Sequence, residues 1–338
     1  MYIQNTQLKK FITYWLGLMF IIISIMIVVG GLTRLTDSGL SITQWELFTG
    51  FLPPFTESKW VYYFDLYKQI PEFKLQNYSM TMNEFKVIFW WEWAHRFLGR
   101  LIGLFFLIPL IYFTLKIGFL NLKNLYFIFL LICFQGFIGW YMVSSGLIDR
   151  VDVSHYRLSI HLVVAFIILS LILWNFLKFN NFKTTDYKIK FYLPAFFLLL
   201  IFLQISIGAF VSGMDAGTIY TSWPMMGSSY FPDDNDFVNL FKLAAFNDPS
   251  LVQFMHRNLA YLITAFYFFI TFYIYKNKLK KFYFAIKIIG FFLLLQVILG
   301  ILTLLNGAQI YLSSMHQISS IFLVSSCVYL LFLNSKSN

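Results

Sequence analysis

Eight apolar stretches run through this chain, at about 11–31, 86–114, 124–143, 157–178, 192–211, 251–275, 283–305 and 313–334. A helix needs about 20 residues to cross the ~30 Å hydrocarbon core of a bilayer, and these runs are of that order. The pattern predicts eight transmembrane helices. Most of the links between them are short and polar, but 32–85 and 212–250 are long. Within the first long link, 53–80 carries Pro53-Pro54, Trp60, Tyr62, Tyr63 and Pro71 and reads as a helical lid lying on the membrane. The first apolar run does not read as a cleaved signal peptide, because Gly30-Gly31-Leu32-Thr33-Arg34 lacks a small-residue cleavage pattern.

Composition excludes a soluble protein with buried helices. Hydrophobic residues make up 59% of the 338 and charged residues 12%, with mean hydropathy +0.71. A soluble domain carries about 25% charged residues, so too little polar surface remains to cover eight helices. The formal charge of +10 is distributed in an ordered way. Segments 1–10, 115–123, 178–190, 276–281 and the C-terminal tail hold thirteen lysines against a single acid, Asp186. The opposite links hold eight cations against thirteen acids. The positive-inside bias therefore places both termini in the cytoplasm. Basic loops of this kind face anionic lipid, and nucleic acid is not implied. Cys133 and Cys327 both fall inside spans, so no disulfide framework is indicated outside the membrane.

The chain also repeats itself. A shift of 178 lays 30-GGLTRLTDSGLSITQW-45 on 208-GAFVSGMDAGTIYTSW-223, pairing Asp37 with Asp215, Gly39 with Gly217 and Trp45 with Trp223. A shift of 161 lays 92-EWAHRFLGR-100 on 253-QFMHRNLAY-261, and Gln135 and Gly139 on Gln296 and Gly300. A shift of 155 lays 156-YRLSIH-161 on 311-YLSSMH-316. The expected architecture is all-α: eight transmembrane helices forming two pseudo-symmetric four-helix bundles, 1–178 and 190–338, joined by a cytoplasmic linker at 179–189. Each half has an even number of spans, so the halves share one orientation and a pseudo-two-fold axis along the membrane normal.

Four of the five histidines sit at repeat-equivalent positions, His95 with His256 and His161 with His316. A single histidine in a membrane helix is usually a hydrogen-bonded packing residue or part of a proton path. Two matched pairs, each with one member on the second and one on the fourth helix of its half, fit axial ligation of haem iron inside a bundle. Zinc would require three or four clustered N, S or carboxylate ligands, and the neighbouring Cys and Asp are absent. His155, whose equivalent is Ile310, reads as a loop residue.

Residues Glu92, His95, Arg96, Gly99, Arg100 and Gly103 share one helix face by their spacing. Arg96, its counterpart Arg257, and Arg100 are suited to pair with propionates or to support the site, while Glu92 and Arg96 at i and i+4 can also neutralise each other. The halves differ at three positions that bear on chemistry. Glu92 becomes Gln253, Arg100 becomes Tyr261 and Arg157 becomes Leu312. Proton chemistry needs a group that can change charge, which makes the first half the reactive one. Trp45 and Trp223 read either as interfacial anchors or as covers for a haem edge.

The stretches GGLTRLTDSGLSITQWELFTGFLPP, EWAHR, YRLSIHL and FMHR, together with the repeat and all four histidines, resemble haem A synthase, the CtaA/Cox15 family, over nearly the whole chain. The resemblance implies an enzyme that oxidises the C8 methyl of haem O to a formyl group by two successive hydroxylations, giving haem A for cytochrome oxidase assembly. It further implies that His256 and His316 hold a resident haem b, that His95 and His161 line the site of substrate haem O, and that Glu92 is the catalytic carboxylate. An electron donor that the sequence does not identify and a haem O synthase are implied as partners; a homo-oligomer is left open. The cysteine-free link 32–85 matches the proteobacterial and mitochondrial type rather than the type with a cysteine pair, and His155 stands where proline is usual. The first ten residues lack a mitochondrial presequence character, so a bacterial inner membrane is expected. The rival of another class is a di-haem b-type electron carrier that leaves its haems unaltered. A parallel-repeat transporter fits less well, since the polar groups cluster at helix ends.

Overall fold

The computed structural model describes residues 6–46, 49–184, 189–190 and 192–335. Asp186, Lys188 and Lys336 of the charge pattern, and Leu47 and Phe48 of the first long link, lie outside the described residues. All eight predicted spans are helices: α1 (Thr6–Leu35), α4 (Met82–Ile117), α5 (Lys123–Asp149), α6 (His155–Phe179), α7 (Tyr192–Gly213), α8 (Pro249–Lys276), α9 (Tyr283–Leu305) and α10 (Ile310–Leu333). Two short helices, α2 (Glu57–Tyr67) and α3 (Pro71–Leu75), fill the link expected to be a helical lid. Among the described residues no strand forms beyond an isolated bridge between Met226 and Ser229.

The helices extend past their apolar runs because polar side chains cap them. At the start of α4, Thr81 Oγ1 accepts from the Glu84 N–H and Glu84 Oε2 accepts from the Thr81 N–H at 2.8 Å. This reciprocal capping box satisfies two orphan amides and moves the helix start ahead of the hydrophobic stretch. Asp248 accepts from the Leu251 N–H at 3.0 Å and Pro249 follows as first residue, which opens α8. After α1 and after α7 the chain turns through the same strained conformation, with Asp37 at φ 47° and Asp215 at φ 51°. Aspartate tolerates this left-handed region better than most residues, so the repeat detected in sequence is also a repeat of turns. His155 is not in a loop: it is the first residue of α6 and is buried, its ring 4.3 Å from that of Tyr156. The Leu158 N–H bonds the Ser154 carbonyl at 2.9 Å, closing the first turn over the residue before it.

The chain divides into two compact units, Ile21–Ala165 and Met1–Phe20 with Phe166–Asn338. In the first, α2 and α3 fold onto the start of α4. Trp60, Phe64 and Tyr67 project from one face of α2 and bury against Phe85, Ile88 and Phe89 of α4, with Leu40, Ile42 and Val153 completing the cluster. Phe64 stacks on Phe85 at 4.9 Å and Trp60 meets Phe89 edge-on at 5.0 Å. In the second unit α10 is the most enclosed helix. Its small residues Ser319, Ser326 and Cys327 admit close neighbours, and the Ser325 and Ser326 hydroxyls turn back to the carbonyls of Ile321 and Phe322. Elsewhere the helices leave Phe, Leu and Ile exposed in quantity, among them Ile25, Ile108, Phe268, Phe272, Phe291 and Leu294. Such surfaces are tolerable in lipid and not in water; the chain is a multi-pass membrane protein.

Glu72 of α3 is only 2% exposed. Burial pushes its carboxyl up to about 8, the hydrogen bond from Tyr67 works in the opposite sense, and Glu92 adds to the rise. An unfolded carboxyl ionises near 4.5, so the folded lid binds the Glu72 proton more tightly than the unfolded chain does. Its contribution to stability is complete below about 4.5 and is lost as pH rises through about 8. Glu72→Gln is expected to flatten the melting temperature between pH 5 and pH 9, where the parent loses several degrees. A parent profile that is already flat over that range would contradict this assignment.

Candidate functional site

Each histidine of the two pairs is packed in the same way. In the unit Ile21–Ala165, the rings of His95 (α4) and His161 (α6) lie 6.4 Å apart between centroids and are tilted by 59°. A Cβ on Gly30 of α1 would stand 2.8 Å from His95 Cε1, and one on Gly139 of α5 would stand 3.1 Å from His161 Cε1. In the other unit, a Cβ on Gly208 of α7 would meet His256 Cε1 at 3.0 Å, and one on Gly300 of α9 would meet His316 Cε1 at 3.2 Å. Four glycines therefore admit four imidazoles, and a larger residue would push each ring aside. All four Nδ1 atoms are buried without a hydrogen-bond partner.

These features fit a haem. Two imidazoles that share one metal, at about 2 Å per metal–nitrogen bond, need a spacing close to the 6.4 Å seen between His95 and His161. Among the described residues no three His, Cys, Asp or Glu side chains gather to hold an ion. The donor set comes in pairs, as axial ligation requires.

The carboxylate beside His95 is fully engaged. Glu92 is 2% exposed. Its Oε1 accepts from Arg96 Nε at 3.0 Å and Nη2 at 2.6 Å, and its Oε2 accepts from Ser41 Oγ and the Ile42 N–H, both at 2.7 Å. Arg96 also donates to the carbonyls of Ile42 (2.8 Å) and Gln44 (3.2 Å), and its guanidinium lies over the Trp45 ring at 5.4 Å. Arg100 donates to the Glu46 carbonyl at 2.7 Å. The stripe read from the sequence thus clamps the link 41–46, and a small cleft lined by Gln44, Glu46, Tyr63, Trp93, Arg96 and Arg100 lies beside it. Burial, and next the Glu46 carboxylate, raises the Tyr63 hydroxyl above its usual range.

The second half repeats the clamp with two changes, Gln253 for Glu92 and Tyr261 for Arg100. Arg257 donates to the carbonyls of Tyr220 and Ser222, both at 3.0 Å, the residues that the repeat lays on Ile42 and Gln44. At the position of Glu92, Gln253 donates its amide to the Tyr220 carbonyl at 3.1 Å. The Trp223 indole donates to the Tyr261 hydroxyl at 2.9 Å. Both arginines therefore support loops through the same pair of carbonyls, and only the first half places a carboxylate there.

Sequence reasoning missed three contributors. Ser41 and the Ile42 amide are invisible as carboxylate partners until the link folds back on α4. Gln204 donates to the His256 carbonyl at 3.0 Å, as Gln135 does to that of His161 at 2.9 Å and Gln296 to that of His316 at 2.7 Å. The signal was present as a Gln-x-x-x-Gly spacing at 135–139, 204–208 and 296–300.

Known proteins are similar to this chain in sequence. The family profile COX15-CtaA, described as cytochrome oxidase assembly protein, matches residues 13–328. A protein of Pelagibacter ubique named "Heme A synthase" is 49% identical over 341 residues, covering 99% of this chain and all of that protein. Proteins of the same name from Rickettsia felis and Flavobacterium johnsoniae are 40% and 38% identical, each covering 97% of this chain and 99% of the relative.

Proposed function

The chain belongs to the COX15-CtaA family of cytochrome oxidase assembly proteins, and from that premise we propose that it oxidises the C8 methyl of haem O to the formyl group of haem A. Its full-length relatives carry the name Heme A synthase. The observation that carries the site assignment is local. Two histidine pairs have the same glycine-backed packing, and only one has a buried carboxylate a helical turn from its ligand. His95 and His161 bind substrate haem O, while His256 and His316 hold a resident haem b, which when bound supplies an electron-transfer centre. The halves 1–178 and 190–338 thus divide the work, joined by the linker 179–189.

The protein's part in the reaction is to orient and to manage charge. The imidazoles fix the macrocycle, and the glycines fix the imidazoles. Glu92, held between Arg96, Ser41 and the Ile42 amide, keeps a carboxylate at a set position beside the reacting half and closes the link 41–46 over it. Two successive hydroxylations of the methyl carbon, each a two-electron oxidation at the expense of an external oxidant, give an alcohol and then a hydrate, which loses water to the aldehyde. The positive-inside distribution supports cytoplasmic termini in a bacterial inner membrane. Haem O is too apolar to cross water unaided, which supports hand-over from a haem O synthase.

Expression in a host that makes haem O but no haem A, followed by extraction and chromatography with mass detection, tests the reading. Haem A or its hydroxymethyl precursor is expected. Recovery of haem b and unaltered haem O alone, from folded and haem-loaded protein, would establish an electron relay instead.

A further inference from the structure

Three of the four histidines are clamped at two points by the neighbouring helix. In α5, α7 and α9, a glutamine donates to the histidine's own carbonyl and the glycine four residues later receives its ring: Gln135 and Gly139 for His161, Gln204 and Gly208 for His256, Gln296 and Gly300 for His316. Gln204 adds a contact of 3.3 Å from its amide to His256 Nε2. At His95 the glycine is present, as Gly30, but the residue four positions before it is Met26. The Met26 side chain carries no amide to donate, and its Cε packs against Gly99, one turn beyond His95, where a Cβ would lie 3.5 Å from it. The difference is confined to the level of the His95 carbonyl, where α1 offers Met26 in place of a glutamine. A turn earlier the same segment is held by Thr33 Oγ1, which donates to the Trp91 carbonyl at 3.4 Å, and on either side of His95 by the bonds of Glu92 and Arg96 to the link 41–46.

We propose that Met26 makes His95 the exchangeable ligand, the one that lets go when haem enters or leaves, while His161, His256 and His316 stay fixed. This rests on the reading that these histidines ligate haem. A substrate site must release its product, whereas a resident cofactor must stay, and the distribution of glutamines matches that division. A buried polar group with a good partner is costly to pull away. Gln204 and Gln296 accordingly restrain both ligands of the resident site, and Gln135 restrains one ligand of the substrate site. Met26, Gln135, Gln204 and Gln296 are positioning residues; none needs to touch the reacting carbon.

The test uses the purified full-length chain loaded with haem b and follows haem transfer to excess apomyoglobin. The parent is expected to release haem in two phases. Met26→Gln supplies the missing donor and should slow the fast phase about fivefold, as one added hydrogen bond would, with the bis-imidazole low-spin spectrum retained. Gln204→Met should speed the slow phase by a similar factor, and Met26→Leu should leave both phases where they are. A general packing defect would speed release in every variant, so the slowing in Met26→Gln is the decisive sign. Unchanged rates in Met26→Gln and Gln204→Met, with low-spin haem present in both, would overturn the proposal and leave the ligand assignment standing. If Met26→Gln does not fold, Gln204→Met decides alone, and an unchanged slow phase there would overturn it. Absence of any bis-imidazole spectrum in the loaded parent would overturn the ligand assignment itself.

Discussion

Glu92→Gln is expected to abolish measurable haem A formation, a loss of about a hundredfold or more, while the haem proposed to sit between His256 and His316 stays in place. The amide has nearly the shape of the carboxylate, so the substitution separates charge from anchoring. In the native chain four donors converge on Glu92, from Arg96, Ser41 and the Ile42 amide. The amide must turn its –NH2 towards one of those donors and leaves the Arg96 guanidinium without its counter-charge. Removing one partner of a buried ion pair costs about 3–5 kcal/mol, and the carbonyls of Ile42 and Gln44 recover part of that for Arg96. The second half supplies an internal control. There the equivalent residue is already glutamine, and it still helps hold its link through the Tyr220 carbonyl. An amide can therefore serve as an anchor at this position. If anchoring were all that Glu92 does, Glu92→Gln should make haem A at close to the parent rate. Haems extracted from cells expressing the variant, with haem b content measured on the same sample, distinguish the two outcomes.

How far the sequence anticipates this structure depends on the range of the interaction. The eight spans were legible because lipid imposes a length and a composition on each helix separately. The pairing of His95 with His256 and of His161 with His316 was legible because the repeat is a property of the chain itself. The role of Arg96 was read only in part. Its i, i+4 partner Glu92 could be named from spacing, but the carbonyls of Ile42 and Gln44 come from a link about 50 residues away, and main-chain acceptors leave no trace in residue identity. His155 was misplaced for a similar reason. The apolar run begins after it, whereas the helix begins at it, because backbone closure over Ser154 sets the boundary. Gly30, Gly139, Gly208 and Gly300 could be aligned with one another but not assigned, since a glycine's function here is the ring that occupies the space beside it.

His316→Ala is expected to remove the haem of the second half, so that haem bound per chain falls and the low-spin spectrum of that site disappears. The reason lies in what remains. His256 would lose its partner imidazole, although Gln204 and Gly208 still hold it, and one imidazole alone would have to retain the haem proposed for this pair. Loss of an outer-shell partner alone typically costs about 10–100-fold in metal affinity, and loss of a direct ligand should exceed that. The helix itself should survive. α10 is held by its close packing and by Asn334, which bonds Ile189 through both its N–H (2.8 Å) and its carbonyl (2.9 Å), and neither contact involves the imidazole. His155→Ala is the matched control: it removes a buried ring at the start of a span that has no counterpart in the other half, and it should leave haem content unchanged. Pyridine haemochrome assay and the low-spin absorbance of the purified variants read both. A His316→Ala protein with the full haem complement and an undiminished bis-imidazole spectrum would show that the second pair does not ligate iron, and the division of labour between the halves would fall with it.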